Sequence, residues 1–129
     1  MSKERRTLPR YLCTEHFSES SLRIEGNSFI LMSINFNRSG IALFTDKMLP
    51  QQNNARISFE FTDGKSILKI SELPCIIRHR HETEVGHQYG IQFELIQPSA
   101  DSMKEQLHNI ELALAKNAND EDRYGLHNL

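Results

Sequence analysis

The sequence predicts a mainly β domain, six or seven short strands at the spacing of a sandwich or barrel, followed by one amphipathic helix. Three observations carry this. Apolar and polar residues alternate in ARISFEF, where Ile57, Phe59 and Phe61 flank Ser58 and Glu60, and again in GIQFEL, where Ile91, Phe93 and Leu95 flank Gln92 and Glu94. After Pro98 the apolar period becomes that of a helix. The length, 129 residues with 38% hydrophobic and 25% charged, supports one core and is too short for two.

Residues 1–12 read as a basic arm, because ERRTLPRYL places Arg5, Arg6 and Arg10 close together in a chain whose formal net charge is −2. Arg6 and Arg10 have helical spacing, but Pro9 removes a donor and pushes Leu8 toward extended backbone, so the arm is not a helix. Residues 13–97 hold the strands. SFILMSINF (28–36) is apolar on both faces and IALFTD (41–46) follows the turn-like NRSG, which makes the two a hairpin. Asp63 and Gly64 mark another hairpin between ARISFEF and SILKI, and PCIIRHRH and HQYGIQFEL flank a loop at 82–86. Residues 98–117 form the helix: Met103, Leu107, Ile110 and Leu114 recur at steps of four, three and four, and Ser102 with Glu105 has the form of a capping box. Residues 118–129 are polar and patternless and read as a mobile tail.

Composition narrows the function. A net charge near zero argues against a general polyanion binder, so any basic function is local. No apolar run approaches the roughly 18 residues a bilayer span needs, and Met1 to Arg10 lacks a signal-peptide core, so a cytoplasmic protein without direct membrane insertion is expected. Cys13 and Cys75 lie far apart, outside any C-x-x-C pair, as suits reduced thiols. There is no G-x-S-x-G, no phosphate-cradling glycine loop and no carboxylate pair, so no enzyme is expected. Alternation puts His79 and His81 on one strand face, with His87 across the loop and Arg78 and Arg80 on the opposite face. Three imidazoles can bind a transition metal, yet no cysteine or ordered carboxylate completes such a site; neither metal nor cofactor is expected.

The arm is chemically more specific. A guanidinium is a planar, permanently charged donor fork that grips a phosphate or the O6 and N7 edge of guanine. Three of them suit a compact anion with several such acceptors; the alternative is a solvated basic terminus. A nucleic-acid-binding barrel would interleave aromatics with a wider basic face, which this sequence does not.

ERRTLPRY together with INFNRSGIALF (34–44) resembles the two-part signature of the PilZ domain, RxxxR followed by (D/N)xSxxG. Arg6 and Arg10 match the RxxxR arginines and Arg5 an arginine that often precedes them. Asn35 matches the leading Asp/Asn and Gly40 the glycine, while Asn37 stands where the family has serine. Taking Asn37 and Ser39 as the leading pair instead would put Ala42, inside a strand, at the glycine position. The resemblance continues through LPCIIRHRH and HQYGIQF to the helix. It implies a six-stranded antiparallel β-barrel with a C-terminal helix, acting as a bacterial receptor for cyclic di-GMP; the action expected of such a chain is an arm rearrangement on binding, passed to a protein partner that the sequence does not identify. The implied ligand-binding residues are Arg5, Arg6, Arg10, Asn35, Asn37 and Gly40, to which Arg78 is added as a stacking guanidinium. An arginine before RxxxR goes, in such domains, with an intercalated nucleotide pair, two per chain. The competing reading is a PilZ-like adaptor that binds no nucleotide and acts by protein contacts in pilus or flagellar control. Asn35 and Asn37 would then be turn residues and Gly40 a bulge.

Overall fold

The computed structural model describes residues 9–96 and 100–124, with side chains as far as Lys116. Arg5 and Arg6, and with them most of the arm, lie outside the described residues. In chain order the elements are β1 (Tyr11–Leu12), β2 (Ser20–Ile24), β3 (Asn27–Asn37), β4 (Gly40–Thr45), β5 (Asn54–Thr62), β6 (Ile67–Glu82), β7 (His87–Phe93) and α1 (Asp101–Tyr124). Strands β2 to β7 close into a six-stranded antiparallel barrel: the order β3-β2-β5-β6-β7-β4 returns to β3 through the β3–β4 pairing. Closure is what distinguishes this from a sandwich, and it leaves no long free edge. β1 extends the side of β3 that β2 leaves, since β2 pairs with Asn27 to Leu31 and β1 with Asn35 and Phe36. That short pairing delivers the end of the arm to the barrel wall.

Local chemistry explains the turns. The β2–β3 hairpin turns through Glu25 and Gly26, both at positive φ (54° and 85°), which matches the right-handed twist of the strands it joins. The β5–β6 turn is held by Asp63, whose Oδ1 accepts the N–H groups of Lys65 (2.8 Å) and Ser66 (2.9 Å), while Gly64 takes φ 92°. Those bonds favour the charged carboxylate and hold Asp63 below the usual carboxylate range, the Ser66 N–H contributing most.

Two segments that the sequence reading separates, SILKI and PCIIRHRH, are one continuous strand, β6. The reason is a bulge. Ile57 pairs with Leu73 but Phe59 with Ile70, so β6 carries one extra residue, and Glu72 there takes φ 54°. Ser58 Oγ accepts the Glu72 N–H at 2.9 Å, Arg56 donates to the Glu72 carbonyl at 3.0 Å, and the Arg23 guanidinium pairs with the Glu72 carboxylate. Pro74 sits beside this bulge, where a missing ladder donor is tolerated.

Inward-facing Leu22, Leu31, Phe36, Ile41, Leu43, Ile57, Ile70 and Ile91 fill the barrel, and Phe17, Phe36, Phe59 and Phe93 form an aromatic cluster with ring centroids 5.3–6.2 Å apart. The helix buries Leu107, Ile110 and Leu114, with Met103 partly buried, so the four-three-four stripe is the face that meets the core. Its ends differ from the sequence reading. The helix begins at Asp101, which places Ser102 inside the first turn, and it runs to Tyr124, past residue 117 and into the stretch read as a mobile tail. No proline or glycine occurs between Ala100 and Gly125, so a helix nucleated by its packed turns propagates after its apolar period ends. Among the described residues, no helix is long and apolar enough to cross a membrane.

Candidate functional site

One transverse row across the outer wall defines a cleft. In register, Asn35 of β3 lies opposite Ala42 of β4, Ala42 opposite Gly90 of β7, and Gly90 opposite His79 of β6. The two middle positions are the smallest side chains available, so they make a low floor. Arg10 stands at one side of it. The residue precedes β1, whose Leu12 pairs with Asn35, and its Nη1 donates to Asn35 Oδ1 at 2.9 Å. The resulting cleft, of about 250 Å³, is lined by Arg10, Asn35, Ala42, His79, His81, Gln88, Tyr89 and Gly90. Arg10 presents a permanent positive charge in a planar fork, and with Oδ1 engaged Asn35 keeps its amide NH2 to donate. The chemistry suits an acceptor-rich anion carrying a planar polar edge.

The turn between β3 and β4 is built around Asn37. This side chain is buried, and its Oδ1 accepts from the Ser39 N–H (2.8 Å), the Ser39 hydroxyl (2.8 Å) and the Gly40 N–H (3.0 Å). Neither Arg38 nor Ser39 has a positive φ, so this two-residue turn is not of the primed kind that hairpins favour, and the Asn37 side chain supplies the closure instead. Gly40 is required by close approach rather than by φ: a Cβ there would lie 2.4 Å from the carbonyl oxygen of Ile91. Glu111 ties the same turn to α1. Its largely buried carboxylate accepts from the Arg38 N–H at 3.2 Å and from Arg38 Nη1 at 3.4 Å.

Of the candidate ligand-binding residues, Arg10 and Asn35 meet in the cleft, while Asn37 and Gly40 shape the turn below it. Arg78 stands apart. The β6–β7 register shifts between Ile77 and His79, so strict alternation fails at Arg78, which donates to Gln92 at 2.7 Å beside Gly40 and not within the cleft lining. Arg80 lies over the Tyr89 ring at 5.6 Å and donates to the Gln52 carbonyl at 3.0 Å, bracing the barrel end. Burial pushes the Cys13 and Cys75 thiols up to about 12, with the Glu94 carboxylate adding to the effect at Cys75. Among the described residues, no three His, Cys, Asp or Glu side chains form a group that could hold a metal ion.

The sequence reading did not find His79, His81, Gln88 and Gly90 as cleft residues. Their signal was present in the hairpin: pairing around the 82–86 loop puts Gln88 opposite His81 and Gly90 opposite His79 on one outer face.

A closed six-stranded antiparallel barrel with one C-terminal helix, on whose outer wall Arg10 meets Asn35, defines the class of fold. The PilZ domain model matches residues 4–110, and the chain belongs to the PilZ domain family. Solved structures agree on the fold. The crystal structure of YcgR in complex with c-di-GMP from Escherichia coli superposes with a TM-score of 0.70 at 12% identity, covering 94% of this chain and 50% of that one. K. pneumonia MrkH in its apo state gives 0.68 at 16% identity, covering 92% and 53%, and the Bacillus subtilis inhibitor of motility MotI/DgrA gives 0.65 at 15%, covering 91% and 53%. The chain therefore spans about half the length of those proteins. No curated protein matches it.

Proposed function

We propose that this chain is a cyclic di-GMP receptor of the cytoplasm and that the nucleotide binds between the arm arginines and the outer barrel wall at Asn35. The observation that carries this is the Arg10–Asn35 hydrogen bond, which joins the two halves of the signature in one cleft although they lie 25 residues apart. Cyclic di-GMP offers two phosphates and two guanine Hoogsteen edges. Arg10 and Asn35 supply a charged fork and an amide of the kind these acceptors need. Arg5 and Arg6, on the same arm, add two further forks, and three forks are matched to a stacked nucleotide pair, which brings four phosphates and more negative charge than two arginines offset. The arm then closes over the site and presents a changed surface to a protein partner. The chemistry is binding, with no bond made or broken.

The adaptor reading, protein contacts alone, is less well supported because the Asn37 substitution leaves the turn intact: its amide oxygen closes the hairpin as a serine hydroxyl would. Calorimetric titration with cyclic di-GMP separates the two readings. Saturable heat with two ligands per chain is expected, and an absence of binding would support the adaptor. A random oligonucleotide titrated at two salt concentrations serves as the control for polyanion binding and is expected to give no shift.

A further inference from the structure

We infer that His79 is a purine-stacking platform and sets the base selectivity of the cleft. This rests on the receptor reading above and goes beyond its signature residues. His79 is Gly90's register partner, and its imidazole fills the space that a side chain at 90 would claim: a Cβ on Gly90 would lie 3.0 Å from His79 Cδ2 and 3.4 Å from Cγ. A side chain at 90 would press on the imidazole, and glycine leaves it that room. His79 is nevertheless exposed, so its imidazole is accessible from solvent. The row Asn35–Ala42–Gly90–His79 then acts as a slot with a polar reader at one end, a floor without bulk, and a flat aromatic surface at the other.

Guanine has both features that such a slot selects, a π-face and an acceptor-rich edge. Stacking by itself tolerates any base, because every base has a π-face. Selectivity arises from holding the stacked base in register with Asn35 and Arg10, whose donors match O6 and N7 of guanine and meet an exocyclic amine in adenine. Gln88, opposite His81 at the next outward position, lines the same cleft and borders the slot.

The test is calorimetry of the full chain with cyclic di-GMP and cyclic di-AMP, for the unmodified protein, His79→Ala and His79→Phe, each checked for an unchanged melting temperature. His79→Ala is expected to weaken cyclic di-GMP binding roughly tenfold, the loss of one stacked base. His79→Phe keeps a flat ring and is expected to bind within about threefold of the unmodified protein. Preference for cyclic di-GMP over cyclic di-AMP should narrow in the alanine variant and persist in the phenylalanine variant. If the unmodified protein binds and His79→Ala binds equally well, or His79→Phe is as weak as His79→Ala, the stacking role is overturned while the receptor reading stands. If the unmodified protein does not bind, the receptor reading falls and the stacking role with it.

Discussion

Replacing Asn37 by alanine removes a single acceptor atom on which three donors converge. The Gly40 N–H is buried, at 3.0 Å from that oxygen, and would be left unsatisfied at a cost of about 1–3 kcal/mol. Ser39 is exposed, so water can take over its N–H and hydroxyl and the loss there is about 0.5–1 kcal/mol. Together Asn37→Ala should lower the unfolding free energy by about 1.5–4 kcal/mol, a large fraction of the stability of a domain this size. Asn37→Ser keeps an oxygen on Cβ that can accept from the residues two and three ahead, so its cost should stay below about 1 kcal/mol. Urea denaturation followed by circular dichroism measures both, with an unchanged dependence on denaturant showing that only stability has moved. If Asn37→Ala lies within about 0.5 kcal/mol of the unmodified protein, or if serine is as damaging as alanine, the side chain does not hold this turn. Cyclic di-GMP affinity of Asn37→Ser should match or exceed that of the unmodified chain, because the residue supports the site from below.

Other outcomes follow from the same contacts. Arg10→Ala and Arg6→Ala should each weaken cyclic di-GMP binding by about 1.5–3 kcal/mol in calorimetry with little change in melting temperature; unchanged affinity in both would place the ligand elsewhere. Arg5→Leu should move the stoichiometry from two toward one while measurable affinity remains, and a one-to-one ratio in the unmodified protein would refute the paired ligand. Glu111→Ala should cost about 1 kcal/mol, its pairing with the half-exposed Arg38 discounted for solvent, and a double-mutant cycle with Arg38→Ala should show the coupling. Because burial raises the thiols of Cys13 and Cys75 from 9.0 to about 12, the fold holds their protons more tightly than the unfolded chain does; stability is complete below about pH 9 and declines as pH rises toward about 12. Thermal melts from pH 7 to 11 should show that decline, and iodoacetamide should label the native thiols slowly at pH 8.

How far the sequence could be read depended on whether a signal was local. The β3–β4 and β5–β6 hairpins announce themselves through NRSG and Asp63-Gly64, and the helix face through its spacing, because each is set by neighbours in the chain. β2 was not legible: SSLRI buries Ser20 alongside Leu22 and Ile24, so only two apolar residues carry the pattern, and its turn at Glu25-Gly26 lacks the usual asparagine or aspartate. The unity of β6 was hidden by Pro74, since the bulge that accommodates it depends on Ser58, Arg56 and Arg23 from other strands. Within the site, Arg10 and Asn35 were legible as motif residues, but the slot they border was not. Its floor consists of residues with little or no side chain, Ala42 and Gly90, and its far wall depends on the β6–β7 register and the shift after Ile77.

The most direct test of where the nucleotide sits is an amide NMR titration of the full chain with cyclic di-GMP. Shifts are expected to concentrate at residues 4–12, 35–40, 79–81 and 88–90, the arm, the β3–β4 turn and the cleft, with residues 4–12 also gaining protection from hydrogen exchange. Shifts confined instead to the Arg23, Arg56 and Glu94 groove on the β2–β5–β6 wall, or saturating binding that leaves residues 35–40 unmoved, would contradict the assigned site.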